Sequence, residues 1–175
     1  MTTSGRYEQV QGLPVVRFER TFAHPVEAVW NAVTEPAQLG KWFPTTVEFA
    51  ELRVGAAIEF HFPEEAYPPM SGEFREVEPP RRLVFTWGDD ELTFELAERD
   101  GGEACRLAFT VVLDSEDKAA RDSAGWEQCL DMLEEAVNGG SPRRPPDGKR
   151  WKVYFEEYKA QGLPATAWLP GQPRA

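Results

Sequence analysis

The stretch "GWEQCLDML", from Gly125 to Leu133, decides how the chain folds. Its apolar residues recur at intervals of three and four, which is the spacing of one face of an α-helix. These residues are Trp126, Cys129, Leu130 and Leu133. The pattern runs from about Ala119 to Val137 and stops at "NGG" (138–140), which is typical of a helix C-terminus. We therefore predict a long amphipathic helix whose apolar face needs a partner.

The segments before this helix alternate apolar and polar residues, which is typical of half-buried β-strands. They are "LPVVRFERTF" (13–22), "AAIEFHF" (56–62), "GEFREVE" (72–78), "RRLVFTW" (81–87), "ELTFELAE" (91–98) and "EACRLAFTVVL" (103–113). Turns such as Pro79-Pro80 separate them, so we expect an antiparallel meander with one apolar face. Two short helices are expected after the first strand, in residues 24–34 and 37–43. The predicted fold is α+β, with a curved antiparallel sheet of about six to seven strands around the long C-terminal helix.

The pattern predicts one domain followed by an extension. We place the domain at residues 13–139, a linker rich in proline, glycine and positive charge at 140–150, and the extension at 151–175. The extension contains a short amphipathic helix with an apolar stripe between Trp151 and Tyr158. This stripe either packs in cis on the domain, which we favour, or docks on a second subunit. Monomer and homodimer both stay open.

Composition restricts the partners and the location. Thirty acidic and nineteen basic residues give the chain a formal net charge of −11. This charge repels nucleic acid and anionic membrane surfaces, so neither is an expected partner. No apolar run approaches the roughly 20 residues that cross a bilayer, and the N-terminus lacks the apolar stretch of a secretory signal. Cys105 and Cys129 are expected to be reduced, buried thiols, and we predict a cytoplasmic protein.

Residues that carry catalysis are sparse. His24 and His61 are the only histidines, and neither has cysteines or carboxylates at a ligand spacing in sequence, so we expect no metal site. No glycine-rich phosphate loop is present, so we expect no cofactor. The carboxylates of Glu59, Glu73 and Glu95 alternate away from the apolar face. We therefore assign no catalytic residue and favour a binding protein over an enzyme.

Aromatic residues dominate the predicted apolar face. A wide aromatic wall either fills a core or lines a ligand pocket, and for any single residue the core is the better-supported alternative. The candidate ligand-binding residues are Trp42, Phe60, Phe62, Met70, Phe74, Phe85, Trp87, Phe94, Trp126, Cys129, Leu130 and Leu133. The loop "YPPM" (67–70) is either a flap over the pocket or an ordinary turn. Gly125 suggests either close packing or room for a cavity, because a glycine inside a helix costs about 1 kcal/mol relative to alanine.

Three segments together resemble the START-like (SRPBCC) superfamily, in particular its AHSA1-type domains, named for the activator of the heat-shock-protein-90 ATPase. "ERTFAHPVEAVWNAVTEPAQLGKWF" (19–43) is similar to the family's opening, and "GEFREVEPPRRLVFTW" (72–87) to its characteristic strand pair. "GWEQCLDMLEEAV" (125–137) resembles its closing helix. The resemblance implies a helix-grip (Bet v 1-like) fold with an elongated cavity between the sheet and the closing helix.

What the resemblance implies about function is broad, because one fold serves several tasks. Some members bind lipids or other hydrophobic small molecules, some cyclise polyketides, some take part in resistance to natural products, and one branch stimulates a chaperone ATPase. Our first hypothesis is a protein that binds a small hydrophobic, aromatic or lipid-like molecule in the cavity. The alternatives are a chaperone-accessory module with a protein partner, acting in the stress response, and a polyketide cyclase- or hydrolase-like enzyme.

Overall fold

The computed structural model describes residues 3–145 and 147–169. Residue 146 of the predicted linker and residues 170–175 of the predicted extension lie outside the described residues. The strands are β1 (Arg6–Val10), β2 (Leu13–Phe22), β3 (Thr46–Glu48), β4 (Ala57–His61), β5 (Met70–Glu78), β6 (Arg82–Trp87), β7 (Asp90–Arg99) and β8 (Ala104–Val112). The helices are α1 (Val26–Thr34), α2 (Pro36–Leu39), α3 (Ala119–Val137) and α4 (Lys149–Ala160).

All eight strands form one antiparallel sheet in the order β1-β2-β8-β7-β6-β5-β4-β3. The α+β helix-grip arrangement is confirmed, with more strands than the six to seven predicted. The additional strands, β1 and β3, lie at the two edges of the sheet. Strand β1 is partly or fully exposed along its length and β3 has only three residues, so neither produces a clear apolar alternation.

The curvature of the sheet has two local causes in β5. The register shifts between Phe74 and Glu76, which leaves Arg75 as the extra residue of a β-bulge, and bulges increase the twist of a strand. An ideal Cβ on Gly72 would lie only 2.0 Å from the carbonyl oxygen of Thr86. Only glycine therefore allows β5 to approach β6 so closely, and the sheet curls around α3.

The core lies between the concave face of the sheet and α3. Phe94 and Phe109 from the sheet and Leu130 and Leu133 from α3 are fully buried. Helices α1 and α2 close one side, where the indole N–H of Trp42 donates a hydrogen bond to the carbonyl of Ala32 at 2.9 Å. The predicted inward faces of the long strands and of α3 are therefore confirmed.

Helix α4 packs against α3 of the same chain. Tyr154, Phe155 and Tyr158 of its apolar stripe are buried there, which is the cis arrangement favoured from the sequence. Within the residues that the structure describes, no helix is both long enough and apolar enough to cross a membrane.

Candidate functional site

Three of the predicted ligand-binding residues remain partly exposed at one end of the sheet. They are Phe62, just after β4, Met70 at the start of β5, and Trp87 at the end of β6. The ring centroids of Phe62 and Trp87 are 6.2 Å apart. Met70 lies beside the β6–β7 turn, where its Sδ is 3.3 Å from the position that a Cβ would take on Gly88. Aromatic and thioether groups that remain accessible at the end of a buried core are suited to bind an apolar ligand.

Two buried rings form the floor beneath these residues. The centroid of Trp126 is 5.3 Å from that of Trp87 and 5.5 Å from that of Phe43, and Phe43 also contacts Trp87 at 6.1 Å. We call Phe43, Phe62, Met70, Trp87 and Trp126 the mouth. The Nε1 atom of Trp87 is shielded from solvent and has no hydrogen-bond partner among the described residues. A buried donor without an acceptor costs about 1–3 kcal/mol, so the mouth contains one unsatisfied polar group.

The other predicted wall residues fill the core. Each of the following is 2% exposed or less: Trp42, Phe60, Phe74, Phe85, Phe94, Leu130 and Leu133. Phe85 and Phe94 stack with centroids 5.8 Å apart, and Phe109 of β8 reaches Trp126 of α3 at 5.1 Å. Rings at these separations are in direct contact. Side chains therefore occupy the space between sheet and helix where the resemblance implies an elongated cavity.

Cys129 contacts the linker rather than the mouth. Its Sγ lies 3.6 Å from Nη2 of Arg144. Burial raises the pKa of the Cys129 thiol to about 11, against the lowering effect of the Arg144 charge, and burial also raises the pKa of the Cys105 thiol. Both cysteines are free and buried, as predicted, and both thiols stay protonated at neutral pH.

Sequence reasoning missed an inward-facing carboxylate next to the mouth. Asp90 lies directly opposite Trp87 in the β6–β7 register, on the same face as Phe94, and is 2% exposed. It accepts hydrogen bonds from Nζ of Lys118 at 2.7 Å and from the backbone N–H of Asp114 at 3.0 Å. Burial raises the pKa of Asp90 to about 6, because the desolvation penalty exceeds the stabilisation by Lys118. The predicted strand 91–98 begins one residue after Asp90, whereas a two-residue Gly88-Asp89 hairpin turn places Asp90 at the start of β7.

A second buried carboxylate lies on α3, between β2 and α4. Glu127 is fully buried. Its Oε1 forms an ion pair with Nη2 of Arg20 at 2.7 Å, and its carboxylate accepts a hydrogen bond from the hydroxyl of Tyr158 on α4. It also accepts hydrogen bonds from the backbone and side chain of Ser4. Burial and the Glu127 charge raise the pKa of the Tyr158 phenol. These contacts hold β2, α4 and the N-terminal segment on α3, so we assign Glu127 a structural role.

The strand register brings together three side chains of metal-ligand type that the sequence analysis did not group. Glu48, Glu59 and His61 each place one ligand atom within 4.8 Å of the other two. Strand β3 was not among the predicted strands, so the proximity of Glu48 to β4 was missed. The other histidine, His24, is paired with Oδ1 of Asn138 at 2.8 Å.

The structure contradicts the close-packing explanation for Gly125. An ideal Cβ at this position would meet only Nε1 of Trp151, at 4.0 Å. That is an ordinary van der Waals distance, so close packing does not require glycine here.

Comparison with known proteins agrees with this architecture. Residues 23–138 match the family model described as Activator of Hsp90 ATPase homolog 1-like protein. The crystal structure of CalU16 from Micromonospora echinospora is 25% identical, covering 91% of this chain and 98% of that one, with a TM-score of 0.71. A protein encoded by gene BPP1335 from Bordetella parapertussis is 25% identical over 96% of this chain and 95% of that one, with a TM-score of 0.70.

A third structure, DynU16 of the dynemicin biosynthetic locus, is 26% identical with a TM-score of 0.62. It covers 74% of this chain, which spans 49% of DynU16. No curated protein sequence matches this chain. Because the family model covers most of the helix-grip domain and the fold agrees with it, the chain belongs to the AHSA1-type family of the START-like superfamily.

Proposed function

We propose that this protein binds a small hydrophobic molecule, aromatic or lipid-like, at the mouth between β6 and α3. The observation that carries this proposal is Trp87, a partly exposed indole whose N–H has no acceptor among the described residues. A flat ligand carrying a carbonyl or phenolate oxygen would stack on the exposed rings and satisfy this donor. Aromatic ligands with such an oxygen are therefore preferred over saturated lipids.

Entry of the ligand requires rearrangement at the mouth. The rings of Trp87 and Trp126 are in contact, so a molecule that reaches between sheet and helix has to separate them. The loop between β4 and β5 covers this end, with Tyr67 against Phe62 at a centroid distance of 5.4 Å. This loop also brings Met70, whose flexible thioether adapts to different ligand shapes. The "YPPM" segment is accordingly assigned the role of a flap.

The similar structures support a small-molecule ligand. DynU16 belongs to a biosynthetic locus, and such loci make small molecules. A domain of this fold that serves a biosynthetic pathway would bind an intermediate or the product. The net charge of −11 also disfavours a strongly anionic ligand.

A second candidate function is a polyketide cyclase- or hydrolase-like enzyme, and Asp90 is the observation that favours it. A buried carboxyl with a pKa of about 6, directly opposite Trp87 in the hairpin, has the properties of a general acid or base. Its ion pair with Lys118 instead favours a structural role.

The third candidate, a chaperone-accessory module, is supported by the description of the family.

Isothermal titration calorimetry tests the binding proposal. The probes are a hydroxyanthraquinone, a flavonol and palmitate, titrated into the wild type and into Trp87→Phe, which keeps an aromatic ring but removes the N–H. We expect saturable binding of an aromatic probe, weakened about tenfold in Trp87→Phe by loss of one hydrogen bond. Trp151→Phe, on α4, is the matched control and should bind as the wild type does. Absence of binding by every probe, or equal affinity in Trp87→Phe, would contradict the proposal.

A further inference from the structure

A cluster of metal-ligand residues lies on the outer face of the sheet edge, separate from the mouth. Strands β3 and β4 pair so that Glu48 lies directly opposite Glu59 and Thr46 opposite His61. Glu59 and His61 are two residues apart on one strand, so their side chains share a face with Glu48. One ligand atom from each of these three side chains lies within 4.8 Å of the others. Small side-chain rotations are enough to bring such atoms onto a common cation.

The electrostatics of this cluster favour a cation. Like charges that face each other across an antiparallel pair destabilise it, and Glu48 and Glu59 are such a pair. In the part of the chain that the structure describes, no lysine or arginine forms an ion pair with either carboxylate. Nε2 of His61 lies 2.9 Å from Oε1 of Glu59. A divalent cation would neutralise the repulsion that the fold leaves in place.

The cluster also borders an open groove of about 610 Å³. Glu48 and Glu59 line its polar side, while Phe49, Ile58 and Met70 contribute apolar atoms. A cation held by three protein ligands keeps at least one coordination position for water or for an oxygen atom of another molecule. The groove provides the space for such a molecule.

We propose that Glu48, Glu59 and His61 bind a divalent transition-metal ion, with Zn²⁺ preferred over Mg²⁺. The imidazole nitrogen is the basis for this preference, because Mg²⁺ selects oxygen ligands in octahedral geometry and Zn²⁺ accepts mixed nitrogen and oxygen ligands. The three proposed ligands lie on the outer face of β3 and β4 and none of them belongs to the mouth, although Met70 of the mouth also lines the groove.

Calorimetric titration of ZnCl₂ into the full chain tests the site. We expect one saturable site with micromolar affinity, weakened at least about tenfold in His61→Ala and in Glu48→Gln. His24→Ala removes the other histidine and should bind Zn²⁺ as the wild type does. These side chains are at least partly exposed, so the variants should fold, and circular dichroism verifies this.

A ¹H–¹⁵N correlation spectrum recorded during the titration identifies where Zn²⁺ binds on the chain. The expected shifts are confined to Thr46–Glu48 and Ala57–His61, and MgCl₂ at the same concentration should produce none of them. The proposal is overturned if Zn²⁺ shows no saturable binding, if His61→Ala binds equally well, or if His24→Ala abolishes binding.

Discussion

The indole rings of Trp87 on β6 and Trp126 on α3 pack edge to face, with centroids 5.3 Å apart and planes at 67°. This contact joins the sheet to the closing helix at the mouth. Trp126 also contacts Phe109 in the core at 5.1 Å, so one side chain belongs both to the core and to the proposed site. The apolar stripe of "GWEQCLDML" therefore holds the fold together and, at Trp126, forms the floor of the mouth.

Trp126→Ala should lower both stability and ligand affinity. Removal of a 3% exposed indole leaves a large cavity, so the free energy of unfolding should fall by about 3–5 kcal/mol. Urea unfolding measures the first effect, and calorimetry on the folded variant measures the second. Leu107→Ala is the matched control, because Leu107 is fully buried on the same face of β8 but precedes Phe109, which contacts Trp126, and so lies further from the mouth. The free energy of unfolding of Leu107→Ala should fall by about 2–5 kcal/mol, and its ligand affinity should not change. Unchanged affinity in folded Trp126→Ala would remove this residue from the site.

Two glycine-to-alanine substitutions should change the free energy of unfolding in opposite directions. Gly125→Ala should stabilise the protein by up to about 1 kcal/mol, because the helix gains propensity and the new Cβ has room. Gly72→Ala should destabilise by about 1–3 kcal/mol, because its Cβ would collide with the backbone oxygen of Thr86. Thermal and urea unfolding of the two variants in parallel provide the comparison. A stabilising Gly72→Ala would refute the close approach of β5 and β6.

Glu127→Gln should be strongly destabilising. The variant leaves Arg20 without its buried partner and offers one acceptor oxygen where the carboxylate offers two, so we expect a loss of about 3–5 kcal/mol. Glu134→Gln is the control, since Glu134 contacts the same Arg20 at 3.3 Å from a side chain that is 49% exposed. Glu134→Gln should lower the free energy of unfolding by less than about 1 kcal/mol. Similar losses in the two variants would show that burial of Glu127 does not determine the strength of the cluster.

Asp90 should titrate at about pH 6 in the folded protein. Its folded pKa lies above 3.8, the ordinary value of an aspartate, so the folded state binds more protons between about pH 4 and pH 6. The contribution of Asp90 to stability should therefore decrease as the pH rises through this window. Carboxyl ¹³C NMR follows the titration, with the signal assigned by its loss in Asp90→Asn. A titration midpoint near pH 4 would show that the ion pair with Lys118 offsets desolvation, and would weaken the enzyme alternative.

The core and the long strands were predictable from the sequence because each burial pattern is local. Phe94 and Phe109 follow the two-residue period of a strand, and Leu130 and Leu133 follow the helical period. The same reasoning could not distinguish a wall residue from a core residue. Phe85 and Trp87 lie on one face of β6, yet Phe85 is 2% exposed and Trp87 remains accessible at the strand end.

Relationships between strands were harder to predict. The Glu48–Glu59 pair depends on the register of a three-residue strand without an apolar pattern, and the orientation of Asp90 depends on the length of one hairpin turn. The contacts of Glu127 come from α4 and Ser4, which are distant in sequence from α3. The assignment of the mouth as a ligand site stays a prediction.

Native mass spectrometry of the freshly purified protein, followed by titration with the aromatic and lipid probes, tests the central claim most directly. We predict a small molecule bound one to one, or saturable one-to-one binding of an aromatic probe that displaces the Trp87–Trp126 contact and quenches tryptophan fluorescence. Neither a bound mass nor binding by any probe would contradict a ligand at the mouth and would favour the protein-interaction alternative.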